Sequence, residues 1–94
     1  MRFHLRALVD SDNPPALRPV IEGFIDRHGG SGRYTDRGFE IELDCEGASA
    51  RDLNRALLTE LRRSVKKTRL RAEWMTGGTT EKFFDYVPKV IRKQ

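Results

Sequence analysis

The segment from residue 49 to residue 71 concentrates the positive charge of the chain. It holds eight Lys or Arg residues and two acidic residues, so its formal charge is 8 − 2 = +6, whereas the whole chain carries +4. Such a local excess of charge suggests an anionic partner, because clustered Lys and Arg neutralise phosphates. The side chains that would contact nucleic acid are Arg51, Arg55, Arg62, Arg63, Lys66 and Lys67.

The same segment also has the pattern of a core helix. Its apolar residues recur every three to four positions and are Ala50, Leu53, Leu57, Leu61 and Val65. This spacing is typical of an amphipathic helix, and Ser49 followed by Asp52 resembles the capping box that would begin it. We therefore interpret the cations first as the solvent side of this helix, and second as a surface for sequence-independent nucleic-acid binding.

A histidine near acids is the second candidate for chemistry. His4 is expected to share a sheet face with Glu40 and Glu42, where a group that titrates near neutrality could exchange protons. A single surface histidine beside an acid is more often structural, so the sequence favours a protein that is not an enzyme. His4, His28 and Cys45 lack the short spacings of zinc ligands, and the glycines of HGGSGR follow a helix rather than precede one. We therefore expect no metal and no cofactor.

The elements that would position these side chains begin with a strand and a helix. Residues 2–10 alternate, which predicts a half-buried strand with Phe3, Leu5, Ala7 and Val9 on its inward face. The segment SDNPP predicts the start of a helix, with Asp12 or Asn13 as its cap. Because Pro19 removes a backbone hydrogen bond, the regular helix is expected to begin only near Arg18 and to end at the pair of glycines that follows it.

Further strands are expected after this helix. The segment RYTDRGFEIELDCEG predicts a hairpin that turns at Asp36 and Arg37, with Tyr34 opposite Phe39 and Arg33 opposite Glu40. Its second strand is expected to point Phe39, Ile41, Leu43 and Cys45 inward. RLRAEWM predicts a strand after the basic helix, with Leu70, Ala72 and Trp74 on one face, and EKFFDYVPK predicts either a fifth strand or a short helix that ends at Pro88. The last residues, VIRKQ, are expected to fray.

The order of these elements predicts an α+β fold of the ferredoxin-like βαββαβ type. It would form one domain over residues 1–94, with residues 83–94 as an appended strand or short helix and a tail. Two helices are expected on one face of an antiparallel sheet, in which the first and third strands are neighbours. The bare face would bring together Arg2, His4, Arg6, Glu40, Glu42 and Asp44.

The stretch VDSDNPPALRPVIEGFIDRHGG, from Val9 to Gly30, resembles the strand-to-helix corner of ACT-type regulatory domains. These domains often carry Asp-x-Pro-Gly-x-Leu at that point, and Pro15 stands here where they have the glycine that lets the backbone approach a ligand. The resemblance implies the same topology, an amino-acid site at Asp12 to Leu17, and dimerisation through sheet edges.

Aromatic residues near the end of the chain suggest a partner surface. Phe83, Phe84, Tyr86 and Val87 are more apolar side chains than one face of a terminal strand can bury. With Phe83 and Val87 on the core, the other two would lie on the bare sheet face or its edge, unless a nearby loop covers them. We therefore predict a non-catalytic module that associates with itself. The expected interface residues are Arg6, Glu40, Glu42, Phe84 and Tyr86.

The composition favours a cytoplasmic protein that does not enter a membrane. The chain has one cysteine, whereas small secreted domains usually have several. The segment MRFHLRALVD at the N-terminus has no apolar run, and no other stretch approaches the ~20 apolar residues that a membrane helix needs.

Overall fold

The computed structural model of the chain describes residues 1–89. Its strands are β1 (Arg2–Asp10), β2 (Ser31–Tyr34), β3 (Gly38–Glu46), β4 (Arg69–Thr76), β5 (Thr79–Phe84) and β6 (Val87–Lys89). Its helices are α1 (Pro14–His28), between β1 and β2, and α2 (Ala50–Ser64), between β3 and β4. The fraying expected of residues 90–94 falls outside the described residues.

The six strands form one antiparallel sheet in the order β2-β3-β1-β4-β5-β6. This confirms the α+β class and the pairing of the first strand with the third. The strand count and the sheet order differ from the four-stranded ferredoxin-like pattern, because the chain continues past β4 into two more strands. Both follow tight turns with positive φ, at Gly77 and Gly78 (53° and 82°) and at Asp85 (56°).

Alternation along the strands separates a buried face from an exposed one. The buried side chains are Phe3, Leu5, Ala7 and Val9 of β1, Phe39, Ile41, Leu43 and Cys45 of β3, Leu70, Ala72 and Trp74 of β4, and Phe83 of β5. They form one core together with the buried side chains of α1 and α2, so both helices cover the same face of the sheet. The inward residues expected from alternation in β1, β3 and β4 are confirmed.

Helix α1 begins at Pro14, so the expectation that the regular helix starts only near Arg18 is wrong. Pro19 lies within the helix. Its missing N–H leaves the carbonyl of Pro15 without the usual partner, but Pro15 is in the exposed first turn, where water can replace that bond.

The two ends of α1 differ in how they are capped. Asn13 is the residue before the helix, but its side chain makes no capping hydrogen bond, so that expectation is wrong. The N–H of Asn13 instead donates to Ser11 Oγ at 3.0 Å. The expected glycine exit is confirmed, since Gly29 has φ 69° and its N–H donates to the carbonyl of Ile25.

Helix α2 begins with the expected cap, in which Ser49 Oγ accepts from the N–H of Asp52 at 3.1 Å. Its buried side is Ala50, Asn54, Leu57, Leu58 and Leu61. Asn54 and Leu58 were not among the expected core residues, and Val65 comes just after the helix ends. Of the helices within residues 1–89, none has the length and apolar character that crossing a membrane requires.

The segment after β4 forms two successive hairpins, so a fifth strand is confirmed and the alternative of a short helix is wrong. Pro88 lies in β6. Phe83 is buried as expected, but Val87 is 63% exposed. The reason is the register, because Val87 pairs with Phe84 and both therefore point away from the face that buries Phe83.

Candidate functional site on the exposed face of the sheet

The face of the sheet opposite the helices, here called the open face, carries most of the candidate residues. The strand register arranges its side chains in rows across the sheet. One row is Glu42, Arg6, Glu73, Lys82 and Lys89. The adjacent row is Glu40, Leu8, Arg71, Phe84 and Val87. In these two rows, acidic side chains therefore gather on β3 and, apart from Glu73 of β4, basic ones gather on β4, β5 and β6.

The acidic end of the open face, here called the acidic patch, consists of Glu40, Glu42 and Asp44. His4 of β1 lies between two of these carboxylates, with Nδ1 2.7 Å from Asp44 Oδ1 and Nε2 2.6 Å from Glu42 Oε2. The hydrogen bonds to Asp44 and then to Glu42 raise the pKa of His4. The hydrogen bond from His4 is also the main reason why the pKa of Asp44 is lowered.

Two arginines complete the acidic patch. Arg2 lies 3.3 Å from the second carboxylate oxygen of Asp44, and Arg33 of β2 lies 3.0 Å from Glu40. Both ring nitrogens of His4 are already bound to carboxylates, and each carboxylate has a basic neighbour. This arrangement fits a structural ion-pair network better than a proton-transfer site, where one ring nitrogen would face the substrate.

The other end of the open face gathers cations around one aromatic ring. The distances to the ring centroid of Phe84 are 5.8 Å from Arg69 Cζ, 5.1 Å from Arg71 Cζ and 5.4 Å from Lys89 Nζ. Among the described residues, no carboxylate lies within ion-pair distance of these three cations. The neighbouring Lys82 pairs with Glu73 at 3.4 Å. We call this group the basic patch, defined as Arg69, Arg71, Lys82, Phe84 and Lys89.

A shallow groove of about 670 Å³ lies between the two patches. Leu8, which is 42% exposed, is near its middle, with Glu40 on one side and Arg71 on the other. Arg6 also lines the groove and has no ion-pair partner within residues 1–89. An exposed leucine between opposite charges has the character of a protein-binding surface.

The structure places four of the five expected interface residues together. Arg6, Glu40, Glu42 and Phe84 share the open face. Tyr86 does not, because it is in the turn after β5 and its ring lies on the helix side of the sheet. Its hydroxyl shares a hydrogen bond of 3.3 Å with that of Thr59 on α2.

Of the six cations predicted to contact nucleic acid, one already makes contacts within the fold and five do not. Arg62 is committed to the fold, since Nε donates to the carbonyl of Thr68 at 3.0 Å and a terminal nitrogen lies 3.3 Å from Asp85. The others are exposed and have no ion-pair partner within residues 1–89; they are Arg51, Arg55, Arg63, Lys66 and Lys67.

Tyr86 lies among these cations. Its bond to Thr59 puts the ring beside the middle of α2, and Arg62 lies 5.3 Å from the ring centroid. A small cleft of about 240 Å³ opens next to it, between α2 and the hairpin of β5 and β6. Its lining residues are Arg51, Asn54, Arg55, Phe83, Tyr86 and Pro88. We call this the α2 cleft.

A buried polar network that sequence reasoning missed holds this hairpin against α2. Asn54 Nδ2 donates to the carbonyl of Asp85 at 2.7 Å, and Asn54 Oδ1 accepts from Trp74 Nε1 at 3.2 Å. Asp85 Oδ1 accepts from the N–H of Leu70 at 2.8 Å. The sequence does contain one indication of this network. Asn54 lies one helical turn from Ala50 and from Leu57, so a polar residue occupies the apolar side of α2.

The structure also shows where Pro15 and Cys45 lie. In the segment from Val9 to Gly30, Pro15 is exposed in the first turn of α1. Cys45 is buried, and burial raises the pKa of its thiol to about 11. Within residues 1–89, no group of three or more His, Cys, Asp or Glu side chains is placed to hold a metal ion.

Within residues 1–89, the open face and the α2 cleft are thus two surfaces whose side chains could bind a partner. Neither is explained by relatives of known function. Comparison of the chain with models of protein families, with curated protein sequences and with solved structures finds no match.

Proposed function

We propose that this chain is a non-catalytic interaction module that associates with a second copy of itself through the open face. The observation that carries the proposal is the division of this face into an acidic patch and a basic patch on either side of the exposed Leu8. A two-fold axis brings the same surface of both copies together, so such a surface is complementary to itself.

The strand register indicates how two copies would fit. If the axis runs along the strands between β1 and β4, then β1 lies over β4 of the second copy, and β3 lies over β5. Within one row, Glu42 would then oppose Lys82 of the second copy, and Arg6 would oppose Glu73. In the adjacent row, Glu40 would meet Phe84 of the basic patch. Opposite charges meet in the first row, and in the adjacent row Glu40 lies opposite the ring near which Arg71 and Lys89 gather.

The size of the face favours weak association. The six strands contain 39 residues, which at about 3.3 Å per residue and about 4.8 Å between strands offer roughly 600 Å² per copy. This is below the ~800 Å² per partner of a standard interface. We therefore expect a dimer that dissociates in the micromolar range rather than a permanent one.

A charge-exchange experiment tests the proposal. One variant carries Glu40→Lys and Glu42→Lys, and the other carries Arg71→Glu and Lys82→Glu. Each variant alone would place like charges opposite one another at residues 42 and 82, and would bring like charges close together where residue 40 meets the basic patch, so it is expected to be monomeric. A mixture of the two restores opposite charges and is expected to form a heterodimer. Sedimentation velocity from about 5 to about 500 µM would resolve these species.

The matched control reverses two acidic side chains on the helix side, Glu22→Lys and Asp26→Lys on α1. It changes the net charge as much as the first variant and is expected to leave self-association unchanged. The proposal is wrong if the natural chain remains a monomer over the whole concentration range, or if the mixture of the two variants does not associate.

Electrostatic binding of nucleic acid through α2 is a second candidate function, favoured by one specific observation. Tyr86, which is 45% exposed, lies among the arginines of α2 and adds an aromatic surface to them. Cations that follow a phosphate backbone, together with an aromatic side chain, are the usual components of a nucleic-acid surface.

Charge reversal on α2 tests this second candidate. Arg55→Glu with Arg63→Glu changes two exposed residues and avoids Arg62, which holds Thr68 and Asp85 in place. Fluorescence anisotropy of labelled DNA and RNA is expected to show binding that weakens from about 50 to about 200 mM salt and is lost in this variant. Arg33→Glu with Arg37→Glu, on the far hairpin, is the control. Absence of binding at low salt would exclude this function.

We also propose that the first four strands and the two helices form a ferredoxin-like unit, to which β5 and β6 are added. The order β2-β3-β1-β4 and the position of both helices on one face support this assignment. A cytoplasmic location is proposed on the single, buried Cys45 thiol, which is typical of proteins in reducing compartments.

A further inference from the structure

The α2 cleft combines ring surfaces with guanidinium groups. Phe83 forms part of its lining and is buried, whereas Tyr86 and Pro88 are exposed beside it. Arg51 and Arg55 stand one helical turn apart and also line the cleft, and neither has an ion-pair partner within residues 1–89. A ligand that fits this cleft needs a flat apolar part and a negative part.

We propose that the α2 cleft takes one base of a single-stranded nucleic acid, with the base against Tyr86 and Pro88 and the adjacent phosphates on Arg51 and Arg55. This inference rests on the second candidate function and specifies its ligand. It adds a base-binding position to what would otherwise be contact with phosphates alone.

The volume and shape of the cleft support a single base. The cleft measures about 240 Å³, and an apolar cavity of ~150 Å³ is known to hold one benzene. One face of the Tyr86 ring is near Arg62, at 5.3 Å, which leaves the rest of the ring to the cleft. A guanidinium on one side of an aromatic ring is compatible with stacking of a base on the other.

The proposed ligand is single-stranded rather than duplex because the base that enters the cleft must have an exposed face. In a duplex the bases are stacked and paired, so their faces are not available to Tyr86 or Pro88. Single strands present unstacked bases, and aromatic side chains bind these with little preference for sequence. An acidic peptide would satisfy Arg51 and Arg55 but would leave the rings without a planar partner.

Tyr86→Ala and Tyr86→Phe distinguish base binding from phosphate contact. With a labelled single strand of about 12 nucleotides, Tyr86→Ala is expected to weaken binding about tenfold or more. Tyr86→Phe keeps the ring and is expected to bind within about twofold of the natural chain. Neither change removes a cation, so the dependence of binding on salt is expected to stay the same. The matching duplex is expected to bind more weakly than the single strand and to be insensitive to both changes.

A crosslinking measurement on the natural chain guards against misfolding of the Tyr86→Ala variant. A single strand that contains a photoreactive base is irradiated with the protein, and the crosslinked residue is identified by mass spectrometry. Attachment at Tyr86 or Pro88 is expected, whereas attachment confined to residues of the open face would overturn the proposal.

Failure of this inference can be distinguished from failure of the function on which it rests. If single strands and duplexes bind equally and Tyr86→Ala has no effect, the base-binding position is wrong, but salt-dependent binding by α2 stands. If neither nucleic acid binds at about 50 mM salt, both are wrong.

Discussion

Each ring nitrogen of His4 binds a carboxylate, so the charge of this residue affects how strongly β1 is held to β3. Folding raises the pKa of His4 above its ordinary value of 6.5. The resulting stabilisation is complete below pH 6.5 and is lost as the pH rises through the raised pKa. At acid pH the stability of the fold depends on Asp44, whose pKa is lowered from 3.8. The stabilisation that the ionised Asp44 contributes is lost as the pH falls through that lowered pKa.

We therefore expect His4→Gln to lower the melting temperature more at about pH 5.5 than at about pH 8.5. The side chains involved are exposed, so the difference is expected to be about 1 kcal/mol or less, or a few degrees. Thermal unfolding at both pH values measures it. His28→Gln, on the exposed side of α1, is the control. An equal effect of His4→Gln at both pH values would contradict the role of the charged ring.

Asn54 is the buried polar residue whose loss is expected to be most costly. Asn54→Ala leaves the Trp74 Nε1–H and the Asp85 carbonyl without the partners they now have at 3.2 Å and 2.7 Å. We expect destabilisation of about 1–3 kcal/mol in urea denaturation. Asn13→Ala is the matched control, since the Asn13 side chain makes no capping bond, and it is expected to cost less than about 0.5 kcal/mol. Similar costs for the two would contradict this account.

At the scale of the elements, close contact between β1 and β3 depends on a glycine. A Cβ added at Gly38 would overlap the carbonyl oxygen of Val9 on β1, whereas a Cβ at Gly23 of α1 would meet no atom within 4 Å. The same substitution is therefore expected to have opposite effects at these two positions. Gly38→Ala is expected to destabilise by about 1–3 kcal/mol, and Gly23→Ala to stabilise by about 0.5–1 kcal/mol. Chemical denaturation compares them, and equal effects would rule out the steric explanation.

The elements that sequence reasoning predicted well are those specified by local pattern. Tyr34 lies opposite Phe39 and Arg33 opposite Glu40, as expected from the turn at Asp36 and Arg37. Alternation also placed the buried residues of β1, β3 and β4 correctly. These features depend on neighbours in the chain or on a period of two, and both are visible in a sequence.

The features that were missed depend on contacts between distant residues. The Asn54 side chain binds Asp85, which is 31 residues away. Asp85 also adopts φ 56°, which a residue other than glycine seldom does, and this turn directs Tyr86 to the helix side. Because the sequence does not reveal this turn, neither β6 nor the α2 cleft could be predicted from it. The open face was therefore predicted better than the cleft.

At the scale of the whole molecule, charge is distributed unequally over two surfaces. The open face has an acidic patch and a basic patch, whereas the exposed side of α2 is basic, apart from residues such as Asp52 at its start. The first distribution suits a second copy of the same surface, and the other suits a ligand of uniform negative charge. The two proposed functions therefore use different faces and can be tested separately.

Leu8 lies where the proposed interface would be most apolar. Leu8→Arg is expected to raise the dissociation constant of the dimer by about tenfold or more, because it puts a cation at the centre of the contact, opposite Arg71 of the second copy. Ala56→Arg makes a comparable change on the exposed side of α2 and is expected to have no effect. Sedimentation equilibrium measures both. Unchanged association of Leu8→Arg would place the interface elsewhere on the molecule.

Strand β6 limits how the sheet could grow by addition of further strands. Phe84 and Val87 flank the two-residue turn and form its hydrogen-bonded pair. At the next pair, Phe83 and Pro88, the backbone of β6 therefore directs its polar groups outward, away from β5. At that outward position Pro88 has no N–H to offer. Among the described strands, β2 is then the edge that accepts another strand more readily. Pairing of β2 with itself ends at two chains, so this sheet is poorly suited to the endless strand stacking of fibrils.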